Sequence, residues 1–312
     1  MKPRAMLKLL TSILKWIGLG VLGLSTGAIG VLAILWIQQP DVSELATQSP
    51  VRTRYMELAA REKGLAQDAY SLHWTQLEDI SPYVGCAVVK GEDDLFFRHR
   101  GFDWREIRLA LKPRGDAPLV GASTITQQLA RNIYLTSERS WLRKLREALL
   151  AHALERALPK RRLLEIYLNV IEFGDGVWGV GDASTHYFGK TPAQLDAFDA
   201  SFLTALLPSP RRSLAGPNGT RAVWWQLRTL AYLRLSGLIS RTEEEVDGNR
   251  AANVFAALQS GAPVEQTLAG TAPPHLFSAL AGLTWERALA SDCGLDTEII
   301  QVRKEKQEQN RN

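Results

Sequence analysis

Residues Leu119–Glu155 read LVGASTITQQLARNIYLTSERSWLRKLREALLAHALE, and the rest of the chain is best approached from this stretch. Thr124 and Gln127 have the spacing of a capping box, which predicts a helix starting here and running through Asn132. The first turn of such a helix offers free backbone N–H groups and hydroxyls, a setting that suits an anion. Downstream stand Arg131, Arg139, Arg143 and Lys144. If Trp141–Ala157 is helical, Arg143 and Lys144 lie four and three residues before Glu147 and share its face. That face can meet a phosphate and still keep a carboxylate available. A solvated helix with ordinary charge pairs explains the same spacing.

The chain has 312 residues, enough for a sizeable core and one or two domains. Its 46% hydrophobic and 22% charged content is that of a globular protein. A net charge of +4 without any RNA- or DNA-binding signature gives no reason to expect a nucleic-acid partner. Two cysteines, Cys86 and Cys293, exclude a disulfide scaffold and a cysteine-rich zinc site. Cys86 lies in an apolar run and reads as a small buried hydrophobe; Cys293 carries no reading.

Trp16–Ile37 is free of charge and rich in Leu, Ile, Val and Gly, long enough to cross a bilayer as a helix. Lys2, Arg4, Lys8 and Lys15 precede it, so the positive-inside rule places residues 1–15 in the cytoplasm and everything after Pro40 outside. A cleaved signal peptide and a buried soluble helix are the competing readings. Residues 38–81 read as a helical stalk or entry segment, with its best periodic piece at Tyr55–Arg61. Tyr83–Val89 reads as a short buried strand ending in Glu92-Asp93-Asp94, whose carboxylates would project from its tip. A carboxylate there, backed by Phe96 and Phe97, can have a raised proton affinity and act as a base. An acidic turn closing a strand is the plainer alternative, as a structural role is for His99.

Phe102–Val120 is amphipathic and basic, followed by the breaker-rich Pro113–Pro118; it suits a lipid surface or an ordinary exposed helix. Lys160–Val170 places Leu163, Leu164, Tyr167 and Leu168 on one stripe, with a cationic start that the helix dipole disfavours. Gly174–Gly179 matches G-x-G-x-x-G, but a helix pattern precedes it, which argues against a dinucleotide fingerprint and for a tight connection. Ala197–Leu207 reads as a buried helix and Trp224–Leu238 as an amphipathic one. Glu243–Glu245 can open a further helix. The pattern weakens from Gly261, and Gln301–Asn312 reads as a disordered mixed-charge tail.

Taken together, the motifs resemble the peptidoglycan glycosyltransferases of glycosyltransferase family 51. The E-D-x-x-F-x-x-H-x-G block is Glu92 to Gly101. The G-x-S-T-I-T-Q-Q-L block is Gly121 to Leu129, followed by Arg131-Asn132 where lysine-asparagine is commonest. The R-K-x-x-E block is Arg143, Lys144 and Glu147. The E-x-Y-L-N block with its glycine-rich continuation is Glu165 to Gly179, ending in Tyr187-Phe188. A fifth, alanine-rich block ends at Pro208.

The resemblance implies a mainly α fold: a lysozyme-like glycosyltransferase lobe over 82–260, a small membrane-associated lobe, and an N-terminal transmembrane helix over 16–37. Residues 261–312 would be a partly disordered extension. It implies a monofunctional enzyme, with no transpeptidase domain, that polymerises lipid II into glycan strands with inversion and release of undecaprenyl pyrophosphate. Glu92 would be the general base and Glu147 the second carboxylate, organising the leaving-group side. Thr124, Gln128, Arg131, Arg139 and Lys144 would hold the pyrophosphate and adjoining sugar. Asp93, Phe96, His99, Ser123, Gln127, Asn132 and Arg143, from the same blocks, complete the expected substrate-binding set. The expected location is the bacterial inner membrane, with lipid II, the growing glycan, membrane lipid and other wall-synthesis proteins as partners. No cofactor is expected; a divalent cation such as Mg near the pyrophosphate fits the family, but no dedicated metal cage is visible. Gly181, Asp182 and Ser184 depart from the usual Glu-Ala-Ala-Ala-like run, and Arg131 alters reach at its position. Two rivals stand beside this reading: a lysozyme-like glycan-cleaving enzyme using Glu92 as an acid, and an inactive membrane scaffold.

Overall fold

A computed structural model describes residues 3–110, 122–212, 214, 217–260, 262, 264–269, 285 and 293. It divides into two units, residues 1–42 and 43–312. The first holds helix α1 (Pro3–Ile37). Its stretch Leu14–Ile37 has a mean hydropathy of 2.1. At 1.5 Å per residue it spans about 36 Å, against roughly 30 Å of bilayer hydrocarbon. Leu14, Trp16, Leu22, Leu24 and Ile29 are exposed. The two central hydroxyls are satisfied within the helix, Ser25 by the carbonyl of Val21 and Thr26 by that of Leu22. An exposed apolar helix with its polar groups turned back on itself fits a single-pass membrane anchor.

The second unit is mainly helical. Residues 43–81, expected as a stalk, are built into it. Helix α2 (Arg54–Glu62), capped by Thr53, buries Met56, Ala59 and Ala60, and Leu77 and Ile80 are likewise enclosed. Arg162 ties the preceding turn down by donating to the carbonyls of Leu45 and Gln48.

Tyr83–Val89 is a helix, not the expected strand: α3 runs from Pro82 to Glu92 with Pro82 in its first turn. Every residue from Tyr83 to Lys90 is buried, so no solvent face remains to impose a 3.6-residue period. Helix α9 (Ala197–Leu206) is enclosed in the same way and packs along α3, as does α10 (Pro217–Leu235). The close approach needs Gly91, where a Cβ would stand 2.4 Å from Thr204 Cγ2. Gly85 is required on the same helix, because a Cβ there would stand 2.3 Å from the Trp285 ring. The Trp285 indole N–H donates to the carbonyl of Ile80 (2.7 Å).

The two cysteines also correct the sequence reading. Cys86 is fully buried as expected, but it forms a disulfide with Cys293, 207 residues away.

Between α3 and the hairpin come α4 (Trp104–Ala110), α5 (Ile125–Tyr134), α6 (Trp141–Ala157) and α7 (Lys160–Val170), with α5 packed on α2, α6 and α7. The cationic start of α7 has partners: Lys160 pairs with Glu155 (2.6 Å) and lies over the Phe96 ring, and Arg161 pairs with Glu78. The glycine-rich run forms a short antiparallel hairpin, β1 (Glu172–Gly174) and β2 (Val177–Trp178), turning at Gly176 with φ +88°. It leads into α8 (Gly179–Phe188), and the chain continues through α11 (Arg241–Gln259) and α12 (Val264–Ala269). A Ser240/Glu243 capping box opens α11. Pro113–Pro118 and the Gln301–Asn312 tail lie outside the described residues.

Candidate active site

The site grows from the C-terminal end of α3. Glu92 is its last helical residue, half-buried, and Asp93 closes the helix. Burial pushes the Glu92 carboxyl up from its ordinary value, and the charge of Asp93 adds to this. The Gln128 hydrogen bond and the charges of Arg131 and Arg228 act in the opposite direction. Gln128 Nε2 donates to Glu92 Oε2 (2.8 Å), while Gln128 Oε1 accepts from the hydroxyl of Tyr167 (2.9 Å). Tyr167 is fully buried, and burial pushes its phenol well up, so it stays a donor. One amide with both ends used is therefore held in one orientation, and it fixes the Glu92 carboxylate.

Asp93 faces inward. Its Oδ2 accepts from the Ile125 backbone N–H at the start of α5 (3.0 Å), and its Oδ1 meets His99 Nε2 (2.8 Å). The predicted capping box is present: Gln127 N–H donates to Thr124 Oγ1, and Thr124 N–H donates to Gln127 Oε1. Thr124 Oγ1 also donates to the carbonyl of Gly101 (2.8 Å). These bonds correct the expectation of a free anion site at this helix start. Its N–H groups are largely spent internally, and the anion that meets the helix dipole is the Asp93 carboxylate.

The expected charge cluster forms on α6, whose N-cap Ser140 accepts from Arg143 N–H. Glu147 has no solvent exposure and both its oxygens are paired, with Arg143 Nη1 (2.5 Å) and with Lys144 Nζ. Lys144 also donates to Ser123 Oγ (3.0 Å), joining the loop before α5 to α6. The Nε atoms of Arg131 and Arg143 are buried and make no hydrogen bond among the described residues. Arg131 links the two ends of the site. It shares α5 with Gln128, whose amide holds Glu92, and α5 packs on α6, which carries the cation cluster. Arg139 is exposed and makes no ion pair among the described residues.

The structure thus brings Glu92, Gln128, Arg131, Ser123, Arg143, Lys144 and Glu147 into connected neighbourhoods. It gives other expected binding residues an interior task. Phe96 is fully buried under Lys160, and Asn132 is buried with its amide on the carbonyl of Gln128. Asp93, His99, Thr124 and Gln127 brace the α3–α5 junction from within. Tyr167 and Arg228 are additions to the expected set. Tyr167 sits in the E-x-Y-L-N block and was legible there, whereas Arg228 is an isolated arginine in an amphipathic helix. Among the described residues no group of three or more His, Cys, Asp or Glu is gathered as a metal site.

The transglycosylase family model matches residues 61–227. A biosynthetic peptidoglycan transglycosylase of Alcanivorax borkumensis is 41% identical over 213 residues, 66% of this chain and 84% of that protein. One from Cronobacter sakazakii is 42% identical over 172 residues, 54% of this chain and 71% of that protein. One from Azoarcus sp. is 39% identical over 204 residues, 64% and 86% respectively. With more than half its length matched, and with these relatives covered over most of their own, the chain belongs to the transglycosylase family and is a glycosyltransferase of the biosynthetic peptidoglycan type.

Proposed function

We propose that the protein polymerises lipid II into β-1,4-linked glycan strands and releases undecaprenyl pyrophosphate. One observation carries the reading: Glu92, a half-buried carboxylate, is held by Gln128 of α5, and that helix, which also bears Arg131, packs on α6 with its cluster of Arg143, Lys144 and Glu147. Glu92 takes the proton of the acceptor 4-hydroxyl as that oxygen attacks the anomeric carbon of the donor chain. The new C–O bond forms on the face opposite the departing oxygen, so configuration inverts. The electron pair of the broken bond leaves on the lipid pyrophosphate, whose growing charge Arg131, Lys144 and Arg143 stabilise. Glu147 has no free oxygen for acid–base work; its part is to hold Arg143 and Lys144 in place.

The same reading places the chain in the bacterial inner membrane, N-terminus inside. Two independent features support that orientation: the cations before the apolar helix, and a disulfide in the second unit, which persists in an oxidising compartment. Incubating the detergent-solubilised protein with lipid II tests the proposal. New polymer with release of the lipid pyrophosphate is expected. Cleavage of preformed glycan without polymer would instead make Glu92 the acid of a hydrolytic enzyme.

A further inference from the structure

Arg228 lies on α10, outside the motifs that mark the site, and makes no ion pair with a carboxylate among the described residues. It is nonetheless firmly held. Its guanidinium lies 4.4 Å from the centroid of the Trp225 ring, 5.1 Å from that of Tyr232 and 5.7 Å from that of Trp224. Its Nε donates to the Tyr232 hydroxyl (3.1 Å). Trp224 and Trp225 lie four and three residues before Arg228 on α10, and Tyr232 lies four after, so each ring is at helical-neighbour spacing from the guanidinium. Aromatic faces attract a guanidinium and leave its charge uncancelled, which an ion pair would not.

The position of this charge matters. Helix α10 packs on α3, and Thr229, the next residue, comes within 3.7 Å of the Cβ position of Gly91, the residue before Glu92. We propose that Arg228 is a positioning residue that acts through Glu92: a guanidinium stacked in place by Trp225 and Tyr232, serving as a fixed counter-charge to the base. The charges facing Glu92 are then Arg131 from α5, Arg228 from α10 and Asp93 beside it, with Gln128 and Tyr167 as neutral partners. Burial favours the protonated acid, and a protonated Glu92 cannot accept the acceptor's proton. A cation on α10 restores the ionised form without touching substrate. Asp93 works against it. An ion-paired arginine would be a weaker counter-charge, which gives the aromatic clamp a reason to exist.

The inference rests on Glu92 being the base, and the test separates the two. Polymerisation of lipid II by the full chain is followed from pH 5 to 9 in wild type, Glu92→Gln, Arg228→Gln and Arg228→Lys, with folding checked by circular dichroism. Arg228→Gln should move the acid limb of kcat/KM to higher pH, losing about three- to tenfold on that limb and converging on wild type at high pH. Arg228→Lys, which keeps a charge, should recover much of the limb. A folded Arg228→Gln protein with an unmoved limb, or a loss equal at every pH, overturns the proposal while leaving Glu92 as the base. Full activity in Glu92→Gln overturns both. If Arg228→Gln fails to fold, Trp225→Leu, which loosens the guanidinium, reads the same limb, and an unmoved limb there is equally decisive.

Discussion

The two carboxylates of the site are built in opposite ways. Glu92 ends a helix enclosed on all sides, is half-buried, and among the described residues receives its hydrogen bond from a neutral amide. Glu147 lies mid-helix, has no solvent exposure, and is closed by two cations from its own face. The first keeps a proton affinity shifted upward by burial; the second is committed to ion pairs. A group that must exchange a proton needs a free oxygen and an environment that penalises charge. A group that must place cations needs the reverse. On the proposed reading the site therefore divides into a proton-handling end on α3 and a charge-placing end on α6, with α5 between them.

The strongest way to break this division is to neutralise each carboxylate in turn. Glu92→Gln should lower lipid II turnover by roughly 10²–10⁴-fold. It should leave thermal stability unchanged or improved, because it removes a charge that burial disfavours. Glu147→Gln should instead destabilise the fold by about 3–5 kcal/mol, since Arg143 and Lys144 lose a buried partner. Denaturant unfolding of the two variants reads the contrast. Equal stability losses in both would erase the distinction.

The covalent staple sharpens the comparison further. Cys86 lies on α3 six residues before Glu92, whereas nothing covalent supports α6. Replacing both cysteines by alanine should cost about 2–4 kcal/mol in unfolding free energy. The loss should fall on α3: hydrogen exchange should speed up there before it does in α6. Uniform acceleration through both helices would show that the disulfide stabilises the unit as a whole and favours neither end.

How much of this was legible depended on whether the signal was local. The capping box at Thr124 and Gln127, and the i,i+3 and i,i+4 pairing of Lys144 and Arg143 with Glu147, are short-range patterns, and they appear in the fold as read. Helix α3 was not legible as a helix, because burial on every side removes the periodicity that announces one. The disulfide was invisible because 207 residues separate its halves. The motif blocks named candidate residues without telling which side of the backbone each would face. Phe96, Asp93 and Thr124 make interior contacts, and Tyr167, from a neighbouring block, reaches Glu92 through Gln128.

The smallest expected effect concerns pH, and it bears on Glu92 alone. Its folded-state proton affinity is raised above the ordinary carboxylate value of 4.5, chiefly by burial. In the unfolded chain the carboxyl returns to that ordinary value. Below it, Glu92 is protonated in both states and its contribution to stability is fully present. As pH rises through the raised folded value, the folded protein must carry a buried charge, and that contribution is lost. Glu92→Gln has no charge to bury. The melting temperature of this variant relative to wild type should therefore climb as pH rises above the ordinary carboxylate value and level off once pH passes the raised folded value, by less than the change in either preceding stability experiment. The acid limb of wild-type kcat/KM should sit in the same window if, as proposed, the carboxylate that becomes costly to the fold is also the base. A flat difference between the two melting curves, with the kinetic limb still in place, would separate the proton-handling group from Glu92. Coincidence of the two pH windows would tie the stability cost and the catalytic proton to one carboxyl group.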